Sequence, residues 1–183
     1  MNASDRSGRV FWTTAAAVIA LDVVSKILIV RWLEPYQPPR RVIGSVVRLA
    51  LAYNPGAAFS MSLGRYQRWL FGAFAAIALI IVWRLYRSWR QQRSTPGRDL
   101  ARLLSLGLIW GGAAGNLIDR IRSTRGVVDF IDIGVGDVRF WTFNVADSAV
   151  TIGAVMLAYV LWRDDRDTAR AAAAATETQS ATK

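Results

Sequence analysis

Within a long apolar run, Asp22 and Lys26 lie four residues apart, so in a helix they share one face and can pair. Two further pairs repeat one spacing, Asn116 with Asp119 and Asn144 with Asp147. Asp129 stands between Val127, Val128, Phe130 and Ile131, where low polarity disfavours its charged form. If Asp129 and Asp147 approach each other, one proton is shared between them. One carboxylate can then activate water while the other, protonated, polarises a peptide carbonyl. The 183-residue chain contains no Cys and no His. That excludes disulfides, thiolate nucleophiles, His-assisted nucleophiles and Cys/His zinc sites. A carboxylate pair is the best peptide-cleaving machinery this composition permits.

Each of these residues also has a plainer reading. Asp22 and Lys26 could be a buried ion pair that only fixes helix position. Of the 23 basic residues, however, only Lys26 and Lys183 are lysine, which points to a site too tight for guanidinium. Ser25 beside Lys26 points elsewhere on a helix, so a Ser–Lys nucleophilic pair is disfavoured. Helix capping accounts for Asn144 but not for Asp147, read as inside the span, nor for the repeated spacing. Asp132 and Asp137 rival Asp129 on the same loop. Strand alternation sets Asp129 and Asp132 on opposite faces, so only one of them can join Asp147.

The elements that must position these groups follow from where charge is scarce. Hydrophobic residues make up 53% of the chain and charged residues only 20%, with a net charge of +10. Four apolar stretches can cross a bilayer, which takes about 20 residues each. They predict helices over about 10–32, 66–86, 99–119 and 144–162. None shows the polar face of a soluble bundle helix. The first is too long for a signal peptide and carries Asp22 and Lys26 inside it, so it reads as an uncleaved helix. Arg84, Arg87, Arg90, Arg93, Arg98 and Arg102 crowd the end of the second stretch, the start of the third and the connection between them, which makes that connection cytoplasmic. Both termini are then cytoplasmic as well.

Two β-rich loops, about 40–60 and 126–143, face the other side. The first follows Pro35, Pro38 and Pro39 and ends at the Asn54-Pro55-Gly56 turn signal. The second reads as two short strands around Gly134 and Gly136. The expected fold is therefore a mainly α membrane protein, four transmembrane helices with a small extracytoplasmic β-sheet. Residues 1–165 form one domain, and 166–183 a low-complexity, frayed cytoplasmic tail.

These motifs together resemble the lipoprotein signal peptidases, also called signal peptidase II, a family of bacterial membrane aspartic peptidases. The likeness is carried by Asp22-Val-Val-Ser-Lys26, Asn54-Pro-Gly-Ala-Ala-Phe-Ser60, Gly115-Asn-Leu-Ile-Asp-Arg120, Val127-Val-Asp-Phe130 and Phe143-Asn-Val-Ala-Asp147, in the family's order. By resemblance, Asp129 and Asp147 are the catalytic pair. Asn54, Gly56, Asn116, Asp119, Arg120, Asn144 and Ala146 line and order the site, and Asp22 and Lys26 support it. The resemblance implies a bacterial inner-membrane enzyme that cuts diacylglyceryl-modified prolipoproteins before the lipid-modified Cys. It implies an active site near the extracytoplasmic face and no metal or organic cofactor. Cyclic peptide antibiotics are expected inhibitors and membrane lipid an expected partner, with no nucleic-acid partner and a monomeric state.

Two rival classes remain on the residues alone. A small proton-coupled transporter could relay protons through Asp22, Lys26, Asp119 and Asp147. Against it, the acids gather toward one membrane face, and four short helices leave little room for alternating access. A non-enzymatic assembly factor could use the Arg84–Arg102 loop, which is more simply a topology determinant.

Overall fold

The computed structural model describes residues 3–56, 66–91 and 96–181. Four helices and four strands alternate in pairs: α1 (Ala3–Trp32), β1 (Arg40–Ile43), β2 (Val47–Asn54), α2 (Gln67–Gln91), α3 (Pro96–Arg122), β3 (Val127–Val135), β4 (Val138–Arg139) and α4 (Val145–Ala181). Within them, Ser7–Trp32, Gln67–Arg90, Asp99–Arg122 and Val145–Ala174 are long and apolar enough to cross a membrane. Twenty-four helical residues rise about 36 Å, enough for the roughly 30 Å hydrocarbon layer. Large apolar side chains such as Leu21, Val24, Phe74, Ile77, Ile80, Ile152 and Val155 face outward, as a lipid-facing surface requires.

α3 is the central helix and packs against the other three. Its small residues allow that approach. A Cβ on Gly112 would lie 2.3 Å from the Ala146 carbonyl oxygen of α4 and 2.8 Å from Val150. At one end of the bundle Phe11 stacks on Tyr86 with centroids 4.2 Å apart, among Val82, Leu103 and Leu106. An Arg102–Asp164 ion pair ties α3 to α4 near that end. At the other end Ile29 of α1 packs beneath Leu51, Val128 and Phe130 of the sheet.

The sheet is antiparallel throughout, in the order β1-β2-β3-β4. A bulge on β2 sets Ala50 and Leu51 against Phe130 alone, between the Leu49–Ile131 and Ala52–Asp129 pairs. Asp129 therefore shares a face with Ala52, while Asp132 lies on the opposite face, as strand alternation predicts.

Three expectations change. The helices extend beyond the apolar runs by whole turns, because polar residues at membrane-helix ends cost nothing where the helix meets water. α4 does not stop near residue 162 but continues through the expected frayed tail to Ala181, since Ala171 to Ala175 has the highest helix propensity. The second outer loop has less regular strand than expected. β4 ends at Arg139, and Phe140 and Phe143 instead bond irregularly to Ile133 and Ile131. Of the first outer loop, residues 57–60 lie outside the described residues.

Gly112→Val should lower the thermal midpoint in detergent by several degrees, since overpacking costs about 1–3 kcal/mol. Gly72→Ala, whose Cβ would meet only Leu117 at 3.8 Å, should leave it level or higher. A Gly112→Val protein as stable as wild type would show that α3 and α4 can separate freely.

Candidate active site

Lys26 reaches from the last two turns of one membrane helix into the end of another. Its ammonium donates to Asp22 Oδ2 at 2.7 Å, to Asp119 Oδ2 at 2.8 Å and to Asn116 Oδ1 at 3.0 Å. Three protons meet three acceptors. Asp22, fully buried, uses its other oxygen to accept the Ala146 backbone N–H at 2.9 Å, which draws the start of α4 against α1. Gly115 makes room for this. A Cβ there would stand 2.6 Å from Asp22 Oδ2. Asp119 also accepts the Val128 N–H at 3.3 Å and so ties α3 to β3.

From this cluster two asparagines lead to the carboxylates singled out above. Asn116 Nδ2 donates to Asp147 Oδ1 at 2.7 Å. Asn144 caps α4: its Oδ1 accepts the Asp147 N–H at 2.9 Å, and Asp147 Oδ2 accepts the Asn144 N–H at 3.3 Å. This is a reciprocal capping box. It extends capping to Asp147, which lies within the membrane-length stretch Val145–Ala174 as the sequence reading placed it. Asp147 is the third residue of α4, and capping accounts for one of its two oxygens.

The Asn144 side chain does more than cap. Its Nδ2 faces Asn116 Oδ1 at 3.1 Å, Asp129 Oδ1 at 2.7 Å and the Val128 carbonyl at 3.3 Å. Asn144 thus touches both Asp129 and Asp147. Asn54, at the end of β2, donates to the second oxygen of Asp129 at 3.1 Å and accepts the Gly56 N–H at 2.9 Å. Gly56 holds φ 115°, and a Cβ there would run into Phe71 at 2.5 Å. Asp129 itself is only 4% exposed. Burial first, and the nearby charge of Asp147 second, push its carboxyl up to about 7, against the hydrogen bonds from Asn54 and Asn144 and the charge of Lys26.

Arg120 Nη1 donates to the Asn116 carbonyl at 3.1 Å, and its guanidinium lies 5.9 Å from the Phe71 ring centre. It sits within electrostatic reach of Asp119, Asp129 and Asp147. Its Nε is buried without a hydrogen-bond partner among the described residues. Among the described residues the Ser25 hydroxyl bonds only to the Asp22 carbonyl of its own helix. Asp132 is held by Arg48 at 2.7 Å and Arg139 at 2.8 Å, and Asp137 is exposed in the β3–β4 turn. Neither joins Asp147. Among the described residues no cluster of three or more acidic side chains is arranged to hold a metal ion.

The sequence reading missed Phe71 and Val128. Phe71 walls both Gly56 and Arg120. Val128 works through its backbone, one group to Asp119 and the other to Asn144. A backbone contact leaves no trace in residue type.

Four membrane-length helices, closed at one end by a sheet over buried carboxylates, define an integral membrane protein with a polar site at one end. A family model described as signal peptidase (SPase) II matches residues 14–163. The lipoprotein signal peptidase of Burkholderia ambifaria is 42% identical over 144 residues, covering 78% of this chain and 81% of its own length. That of Pseudomonas fluorescens is 39% identical over 172 residues, covering 90% and 95%. A solved structure of a bacterial membrane enzyme, obtained by the in meso method, superposes with a TM-score of 0.71 at 28% identity, over 85% of this chain and 88% of that one. The chain belongs to the signal peptidase II family.

The raised Asp129 fixes the sign of a stability effect. Between about pH 4 and pH 7 the unfolded chain releases a proton that the folded protein keeps. The stability from protonated Asp129 is thus present at low pH and lost as pH rises to about 7. The wild-type thermal midpoint should fall between about pH 4 and 7, and Asp129→Asn should flatten that fall. An equal fall in both proteins would assign the effect to other groups.

Proposed function

We propose that this protein is a membrane aspartic endopeptidase that removes signal peptides from diacylglyceryl-modified prolipoproteins, cutting on the N-terminal side of the lipid-modified Cys. Membership of the signal peptidase II family makes it a peptidase of bacterial membranes. The observation that carries the catalytic reading is the contact of one residue, Asn144, with both Asp129 and Asp147 in a buried hydrogen-bonded cluster.

The mechanism uses the two carboxylates and one water. Asp129, raised to about 7, is the partner that holds a proton near neutral pH. Asp147 takes a proton from the water as its oxygen attacks the scissile carbonyl carbon. Asp129 gives its proton to the carbonyl oxygen, producing a tetrahedral gem-diol. On collapse Asp129 takes back a proton from one gem-diol hydroxyl as the carbonyl re-forms, the C–N bond breaks, and the proton held by Asp147 goes to the leaving amine, which restores the pair. Asn54, Gly56, Asn116, Asp119, Arg120, Asn144 and Ala146 order this site, with Asp22 and Lys26 beneath it. The unpartnered Nε of Arg120 is a donor suited to a substrate carbonyl. Cyclic peptide antibiotics that mimic the tetrahedral species should occupy the same place.

The positive-inside rule supports cytoplasmic termini and a site near the extracytoplasmic face, where a lipid-anchored substrate arrives. We read residues 1–165 as one peptidase domain that works as a monomer within membrane lipid, and 166–183 as a cytoplasmic extension. A proton-relay transporter would need acids spread through the membrane thickness. Asp22, Asp119, Asp129 and Asp147 are instead bonded into one cluster at one end.

In detergent, with a verified diacylglyceryl-modified prolipoprotein, the wild type should cleave before the modified Cys. Asp129→Asn and Asp147→Asn should remain folded and lose about 10³-fold or more of the turnover. Full cleavage by either variant would remove that residue from the pair, and an inactive wild type would redirect work to proton flux.

The wild-type kcat/KM should fall as pH rises through about 7, as Asp129 loses the proton it must donate. A kcat/KM that stayed level as pH rose through 7 would show that the proton donor is not the group titrating there.

A further inference from the structure

The hydrogen bonds around the carboxylate pair run in one direction only, and their polarity starts at Lys26. An ammonium can donate but never accept. The Asn116 oxygen must therefore face Lys26, as it does at 3.0 Å, and the Asn116 nitrogen is left to face Asp147, at 2.7 Å. Asn144 is fixed the same way from another side. Its oxygen must accept the Asp147 backbone N–H, so its nitrogen is turned toward Asn116 Oδ1 and Asp129 Oδ1. Asn54 repeats the pattern, with its oxygen held by the Gly56 N–H and its nitrogen on Asp129. Among the described residues, every side-chain amide that touches a carboxylate of the pair touches it with N–H.

We propose that Lys26 is a positioning residue that locks this polarity, so that the proton of the Asp129–Asp147 pair finds no amide oxygen to rest on and stays available to water and substrate. The inference rests on the catalytic reading given above and deepens it. A protonated carboxyl needs an acceptor. With all three amide oxygens engaged elsewhere, the acceptors left to it are the other carboxylate, the attacking water and the substrate carbonyl. If Asn116 turned over, its oxygen would meet Asp147, where it could hold that carboxyl in the protonated state and remove it as a base. The charged groups that face this chain are Asp22 and Lys26 from α1, Asp119 and Arg120 from α3, Asp129 from β3 and Asp147 from α4.

Two variants test it. Lys26→Gln combined with Asp119→Asn keeps the net charge of the cluster and its hydrogen-bonding capacity, but removes the group that can only donate. Asn116→Asp keeps an acceptor for Lys26 and Asn144, and gives Asp147 a donor only when the new carboxyl is protonated. The Lys26→Gln/Asp119→Asn protein should lose about 10²-fold in kcat with KM little changed. Asn116→Asp should show a similar loss at neutral pH and recover turnover toward acid pH by a much larger factor than wild type does. A purely structural Lys26 would lower yield and thermal midpoint, while the folded fraction kept the wild-type kcat and pH profile; that result overturns the proposal. Should the double variant fail to fold, Asn116→Asp decides alone: wild-type turnover with a wild-type pH profile overturns the proposal. Asp129→Asn and Asp147→Asn, run alongside, separate the two failures. If they are inactive and the positioning variants normal, only this inference falls. If they are active, the catalytic reading falls first.

Discussion

One buried cation governs this structure. The side chain of Lys26 is 4% exposed, on a helix that faces lipid, where an uncompensated charge is among the most costly groups a fold can contain. It is tolerated because Asp22, Asp119 and Asn116 take all three of its protons. Those partners come from two helices, and Asp22 adds a third by holding the Ala146 N–H of α4. Removing any one partner leaves a buried charge exposed to hydrocarbon, so the cluster fixes the relative height of α1, α3 and α4 far more sharply than apolar packing in lipid can.

The sheet carries a second consequence of the same physics. Asp129 and Asp132 lie three residues apart on one strand, both nearly inaccessible, with opposite fates. Burial alone would push the Asp132 carboxyl up, but hydrogen bonds from Arg139 and Arg48 outweigh it and hold it below its ordinary value. Asp132 thereby becomes a permanent anion that clamps β2, β3 and β4. Asp129 meets only neutral amides, Asn54 and Asn144, with Asp147 nearby, and burial wins. The difference is which face of the strand each occupies, and alternation sets that.

Much of this was legible beforehand because the signals are local. Apolar length marked four helices, the four-residue spacing marked the Asp22–Lys26 pair, and period two separated Asp129 from Asp132. What stayed hidden is long-range or backbone-borne. The Arg48–Asp132 contact spans 84 residues, and nothing distinguishes Arg48 from the other arginines. The bulge at Ala50 and Leu51 carries no Gly or Pro to announce it. The capping box at α4 was half visible. Asn144 looked like a cap at a helix start placed near 144, but no residue type showed that the Asp147 carboxylate answers it by accepting the Asn144 N–H.

The choice of lysine at position 26 follows from the geometry it meets. Three acceptors surround one nitrogen at 2.7, 2.8 and 3.0 Å, an arrangement that suits a compact tetrahedral ammonium. A guanidinium spreads five protons over a plane and would leave some of them unmatched in a space this small. Elsewhere in the described residues the chain uses arginine, at helix ends and in the sheet, where a planar fork can reach water, a carboxylate or an aromatic face. The single exception stands where three groups must converge on one point. Gly115 belongs to the same constraint, since any side chain there would displace Asp22 from that point. A residue preference visible in the bare sequence is thus the imprint of one coordination geometry.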